Sequence, residues 1–245
     1  MTEQAAWGAS VFAKDCYRLD LRATDLRGTD LSMLNFNGVR LSGAFLQGSK
    51  LWHTRMNGAE LFEAKLQATD LSGAWLQGTR IWKTCLQWSI LGAARLHGAN
   101  IGESNLENAL LTQAQLSGAR VVNSNLQRTT MQFVLLHSAQ FWSTNFRGAL
   151  LRAPLLNSET EFSEGTLRGA ATSAVDFTDI PQIADHLHEM FGDGSVTLPC
   201  GHGPEHEGWP AHWPRQELGF PEFHKEWHKW QADPEGYTPP ERTAG

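Results

Sequence analysis

The sequence predicts an all-β solenoid, a rod of about seven four-sided coils followed by a small, partly α-helical C-terminal region. Two periods carry the prediction. The first is five. Counting by fives from Leu21 to Leu156 meets 28 apolar residues without a miss, 20 of them Leu. Two positions ahead of these, from Thr24 to Ala149, 23 of 26 residues are Ala, Ser or Thr; Leu34, Val39 and Val134 are the exceptions. On an α-helix five residues advance about 500°, so the leucines would spiral around the axis. On a strand an odd step flips the side chain to the opposite face. The chain must therefore turn a corner every five residues, with the bulky residue inward and the small one in the tight corner beside it. The second period is twenty, seen in Gly38, Gly58, Gly78, Gly98 and Gly118, and in Gln47, Gln67, Gln87 and Gln127 with Glu107 in line. Four fives close one circuit, so residues i and i+20 stack about 4.8 Å apart, and long internal repetition of this kind marks a solenoid. Glycine at a repeated corner predicts φ > 0 or a close backbone approach. The inward core includes Leu21, Leu26, Leu31, Phe36, Leu41, Leu66, Leu86, Leu106, Leu126 and Phe146.

Residues 1–19 form a degenerate start: Val11 and Cys16 keep the phase, but Lys14 and Leu19 replace the small residue. A cap or irregular first coil is expected there, because the open end of a solenoid exposes core and unpaired backbone. The rod proper runs over 20–158. Its outward positions form ladders. Gln47, Gln67, Gln87, Glu107 and Gln127 make one, and Asn37, Asn57, Gln77, His97, Ser117, His137 and Asn157 another. Stacked amides are expected to hydrogen-bond along the rod. A third, Asp20, Arg40, Glu60, Arg80, Asn100, Arg120 and Gln140, partly alternates in charge. One outward line is apolar instead: Phe62, Trp82, Gly102, Val122 and Trp142. Ile90, Leu110 and Leu150 make a shorter one, and Leu135 with Leu155 a third. Adjacent large apolar residues on a surface predict a covered surface. The cover is either the chain's own aromatic-rich tail or a partner, a second copy included.

The repeats ATDLR (23–27), GTDLS (28–32), ATDLS (68–72), GANIG (98–102) and ESNLE (103–107) resemble the small–Asp/Asn–Leu/Phe–x–x motif of pentapeptide-repeat proteins. The resemblance covers more than half of the chain. It implies a right-handed quadrilateral β-helix with an interior of stacked Leu and Phe. It implies no activity, since most of the family is of unknown function. Some members inhibit type II topoisomerases by imitating DNA, which offers an alternative role. That mimicry needs an acidic rod, and residues 20–158 carry 13 Lys+Arg against 8 Asp+Glu.

Counting by fives, the position after Leu156 is Glu161, and a charge there is read as the end of the solenoid. Residues 159–245 are acidic, with 5 Lys+Arg and 16 Asp+Glu. A helix is expected over about 180–191, with Pro181 in its first turn and Ile180, Ile183, Ala184, Leu187 and Met190 or Phe191 on one face, as the plug of the last coil. A short strand is expected at Ser195–Leu198, and a second helix over about 221–232 with Phe220, Phe223, Trp227 and Trp230 on one face. GYTPPERTAG (236–245) is expected to be extended or disordered. The segments FGDGSVTLP, AHWP, WHKWQ and GYTPP resemble the tail of a subset of bacterial pentapeptide-repeat proteins.

The chemistry-bearing residues are few. Cys200, His202, His206 and His212 combine soft sulfur with imidazoles and could hold zinc, although the C-x-H-x3-H-x5-H spacing fits no zinc-finger or ribbon pattern. The duller reading is a Gly/Pro loop with solvated histidines. Cys200 and His202 as nucleophile and base lack an orienting third group. The chain carries no phosphate-cradling glycine loop and no Ser/His/Asp signature. The reading is a non-enzymatic interaction or structural scaffold, with Phe62, Trp82, Val122 and Trp142 as its partner-binding line and no cofactor. The partner is an unidentified protein. The arginines are spread over several faces, which argues against direct nucleic-acid binding. Three scattered cysteines, no signal-peptide pattern and no apolar run near the ~20 residues of a membrane span predict a cytoplasmic protein. Peripheral membrane contact through the apolar lines is the minor alternative.

Overall fold

The structure, a computed structural model, describes residues 18–240. Except for Arg18 and Leu19, the expected cap lies outside the described residues. Each pentad repeats one geometry. A first residue pairs in parallel with its equivalent one circuit on, as in Asp20 with Arg40 and Arg40 with Glu60. The next residue points inward, the third outward, and the fourth sits near φ +60°. The fifth is small and points inward. At most corners its N–H donates to the inward residue's carbonyl, as from Ala44 to Leu41 at 2.9 Å and from Ala59 to Met56 at 3.0 Å. That is a type II turn, which demands positive φ at its third residue. Gly38 and Gly58 supply it at +65° and +66°. Met33, Trp88 and Phe133 are held there too, at +61°, +58° and +55°. A left-handed non-glycine residue costs about 1–2 kcal/mol, and here the ladder bonds on either side over-determine the corner.

Four faces result. Taking the pairing residue as the marker, the first carries 20, 40 and onward, the second 25, 45, the third 30, 50, and the fourth 35, 55. Three-residue strands, from Arg80–Trp82 to Ala171–Ser173, appear on the first and third faces. The inward residues form one continuous core. Of the ten named from sequence, nine are buried; Leu26 is only partly so and packs against the cluster. The corner hydroxyls are buried but partnered. Ser49 Oγ donates to the Leu46 carbonyl at 2.7 Å, and Ser104 Oγ to Ile81 at 3.1 Å. This explains why Ser and Thr share the small position with Ala.

The amide ladders behave unequally. Asn37 Oδ1 accepts from Asn57 N at 2.9 Å, and Asn57 Oδ1 from Gln77 N at 3.1 Å. The buried Oε1 atoms of Gln47, Gln67 and Gln87, and that of Gln77 in the Asn ladder, find no partner within the protein. In the charge ladder Arg80 pairs with Glu60 at 3.2 Å, but Asp20 turns to Arg22 in its own pentad at 2.6 Å. The shorter reach wins at an exposed site, where neither pair contributes much.

The rod does not end at 158. Glu161 pairs with Gln140 on the outside, and Phe162 takes the inward place over Phe141. The interval here is 21 residues. The extra one is absorbed at the corner between Asn157 and Thr160, where Thr160 N donates to the Asn157 carbonyl at 2.9 Å and Thr160 Oγ1 to Leu136 at 2.9 Å. The ladder then continues through Asn145–Thr166, Leu150–Ala171, Ala171–Phe191 and Asp176–Thr197. On the third face it has nine rungs, Asp30, Lys50, Asp70, Ile90, Leu110, Thr130, Leu150, Ala171 and Phe191, more than about seven coils provide. A strict count by fives lands on the outward Glu161 and misses the phase that resumes one residue later.

The first tail helix is a 3-10 helix, Pro181–Glu189, and it forms part of the circuit between Asp176 and Phe191. Ile180 and Ile183 are buried, while Ala184 faces out. Gln182 Nε2 ties it to the Thr160 carbonyl at 3.0 Å. The last coil is stopped chiefly by Trp209 and Trp213, which belong to the main core. Trp213 Nε1 donates to Met190 O at 2.8 Å, and its ring covers Gly192 so closely that a Cβ has no room. Asp193 is wholly buried. Its carboxylate accepts from Leu218 N at 2.8 Å and from Ser195 N and Oγ. The expected strand at Ser195–Leu198 reduces to bridges at Thr197 and Leu198. Helix α1, Phe220–Ala232, lies on the third face, where Phe223, Trp227 and Trp230 form a second core with Leu150, Ala171 and Phe191. Tyr237 packs against the same cluster and donates to Glu226 Oε2 at 3.1 Å, so the GYTPP segment is anchored. Among the described residues, no helix is long and apolar enough to cross a membrane.

Phe162 stacks on Phe141 at 5.2 Å and meets Phe146 edge-on at 5.8 Å. Phe162→Ala is therefore expected to destabilise the fold by about 3–5 kcal/mol, with Ser163→Ala near neutral. Denaturant titration of the two variants checks this; equal stabilities would show the rod ends before this coil.

Candidate functional site

The partner-binding line from the sequence lies on the first face as one outward column. Phe62 is 42% and Trp142 47% exposed; Trp82 and Val122 are half-buried. The tail does not cover it. α1 covers Leu150 of the second apolar line and leaves Ile90 and Leu110 exposed, along with Leu155 of the third. The aromatics of α1 pack at the far end of the third face instead, and Trp209 and Trp213 on the end of the main core.

Gly102 looks like a gap in the column, but the structure closes it. The Trp82 indole lies flat over Gly102, in the space any Cβ would occupy. One aromatic ring thus covers two rungs of the column, its own and that of Gly102. Lys83 Nζ stands 5.8 Å from the Phe62 ring centre and 3.8 Å from Glu103 Oε2, holding charge along the edge of the strip. A shallow groove of about 450 Å³ opens between Phe62 and Trp82, edged by Glu60, Arg80, Ser42 and Asn100. It offers apolar area with a polar rim, the anatomy of a protein-docking surface.

The four sulfur and imidazole residues are not gathered. Cys200 is exposed at φ +64°. His202 and His206 stack ring on ring at 3.6 Å. His212 is turned inward: Nε2 donates to Met190 O at 2.6 Å, and its ring stacks on Trp230 at 5.2 Å. Among the described residues, no group of three or more His, Cys, Asp or Glu is placed to hold a metal. Sequence proximity in a Gly/Pro-rich loop did not make a site, because a packing contact claimed His212 first. Cys85 and Cys200 are free thiols.

Burial holds the His212 imidazole below the usual histidine range, against the Met190 bond, which favours the charged form. The unfolded chain therefore takes up this proton first as pH falls through about 6.5. Stability should decline on acidification from pH 7 to 5. His212→Asn should flatten that decline while lowering the melting temperature at every pH; an unchanged slope would remove His212 from the account. For the aromatic strip the test is a cycle. Gly102→Ala should cost about 1–3 kcal/mol through overpacking, and close to nothing once Trp82→Ala has removed the ring. Equal costs in both backgrounds would mean that the indole lies elsewhere.

The profile of the family described as Pentapeptide repeats matches eight copies, over residues 15–43, 40–78, 89–128 and 114–152. Among solved structures, HetL, a pentapeptide repeat protein involved in heterocyst differentiation regulation from the cyanobacterium Nostoc sp. strain PCC 7120, aligns with a TM-score of 0.53 at 22% identity. The alignment covers 87% of this chain and 90% of that one. QnrB1, a plasmid-mediated fluoroquinolone resistance protein, aligns with a TM-score of 0.51 at 14% identity, covering 86% and 98%. At such identities the likeness is one of fold. No curated protein matches the chain.

Proposed function

Because this chain belongs to the pentapeptide repeat family and carries an uncovered aromatic strip on one flat face, we propose that it is a non-enzymatic interaction scaffold whose first face docks a protein partner. One observation supports the reading above the others: Trp82 laid over Gly102, which fills the one rung of the column that has no side chain. Tryptophan in such a setting supplies the buried anchor of many interfaces. A coil whose backbone is bonded to the next circuit on all four sides also loses little freedom on binding, so little of the contact energy is spent on ordering.

The topoisomerase alternative rests on charge. With the rod extended to Leu198, residues 20–198 carry 14 Lys+Arg and 16 Asp+Glu, a net of −2. That is more acidic than the stretch to 158, yet far from the dense negative charge of DNA. The scaffold reading does not depend on it.

Capture experiments with three immobilised chains test the proposal: wild type, Trp82→Ala with Trp142→Ala, and Trp88→Ala. Trp88 is 60% exposed but stands at a corner off the first face. A protein retained by wild type and Trp88→Ala, and reduced at least tenfold on the double variant at unchanged melting temperature, is the expected result. Equal retention by all three would refute the docking face.

A further inference from the structure

A second concavity lies between the rod and α1. It measures about 900 Å³ and is lined by Arg128, Arg147, Arg168, His188, His224 and His228. That volume falls within the ~300–1,000 Å³ typical of small-molecule sites. Its charge is one-sided. The one carboxylate in the lining is Glu189, already engaged by His186 Nδ1 at 2.8 Å and Leu167 N at 3.2 Å. Arg128 has only a distant partner, Glu107 at 3.9 Å. Among the described residues no ion pair involves Arg147 or Arg168.

The extra residue near 158 creates this arrangement. Arg147 follows Phe146 and Arg168 follows Leu167, and the 21-residue interval sets Asn145 beside Thr166. The two arginines therefore occupy equivalent outward places on successive rungs, about 4.8 Å apart. Stacked like charges repel, and the nearest carboxylate, Glu189, is bonded to Leu167 N and His186 and pairs with neither arginine. The opposite wall is fixed: Trp227 Nε1 and Gln231 Nε2 both donate to the Gly169 carbonyl, at 3.0 and 2.7 Å.

We propose that this groove binds a diphosphate-bearing small molecule, one phosphate held by each of the stacked guanidiniums. A guanidinium fork matches phosphate oxygens two at a time, and two forks one rung apart suit two linked phosphates better than a single anion. The size of the groove favours a small ligand over a polymer. The proposal is independent of the docking face, which lies on a different side of the rod.

The test is calorimetric titration of the full chain at pH 7 and low salt, with inorganic pyrophosphate and with ADP as probes. Both are expected to bind. Affinities within about tenfold of each other place recognition in the diphosphate, and a tighter ADP would identify a nucleoside diphosphate as the natural source. Arg147→Ala with Arg168→Ala should weaken either probe at least tenfold without shifting the melting temperature. Arg95→Ala, on the fourth face beside Trp75, should change nothing. No binding by wild type, or equal binding by the double variant, overturns the proposal. So does a single-stranded oligonucleotide that binds far more tightly than both probes with a steep salt dependence, since that would make the arginines part of an extended nucleic-acid surface.

Discussion

Everything in this molecule depends on one constraint: the backbone must bond to itself one circuit away, on four sides, at each pentad. Satisfying it uses nearly all of the chain's freedom. One residue per pentad goes inward, one small residue fills the corner, and one sits in the left-handed region. The bonds along the ladder, such as Leu46 N to Lys65 O at 2.8 Å, hold even Trp88 and Phe133 in that strained conformation. Little remains for chemistry except the outward positions, three per pentad. A protein built this way presents surfaces.

The same constraint makes the ends costly, because an open coil leaves unpaired groups and bare core. At the C-terminal end the chain resolves this in steps. A 3-10 helix replaces part of the last circuit. Trp209 and Trp213 then cover the exposed interior, with Gly192 leaving room for the Trp213 ring. Asp193 fastens the closing loop through Ser195 and Leu218. Burial raises the affinity of its carboxyl for a proton, and the hydrogen bonds it accepts offset part of that. α1 is laid along the third face and leaves a basic groove beside it. The FGDG and AHWP segments are thus explained as closure devices.

How much was legible follows from what each inference needed. The inward residues could be read directly, since periodicity alone places them, and Phe36, Leu66 and Phe146 are buried as expected. The first-face aromatics could be named as a column for the same reason. That Trp82 covers Gly102 could not, because it depends on a rotamer chosen by the space a neighbouring rung leaves. The boundary at 158 was misread because a single inserted residue shifts the phase without ending the ladder. The basic groove was missed with it: Arg147 and Arg168 differ by 21, and a count by twenty never puts them together.

Sequence by itself determined the coil, the identity of its core and the columns that face outward, because those follow from periods of five and twenty that any folded form must honour. Tertiary structure alone decided where the rod closes, which apolar line the tail covers, and which charged side chains line the groove. Those outcomes turn on how distant segments compete for the same space, as when Trp230 and Met190 claimed His212, and a repeating pattern carries no record of that competition.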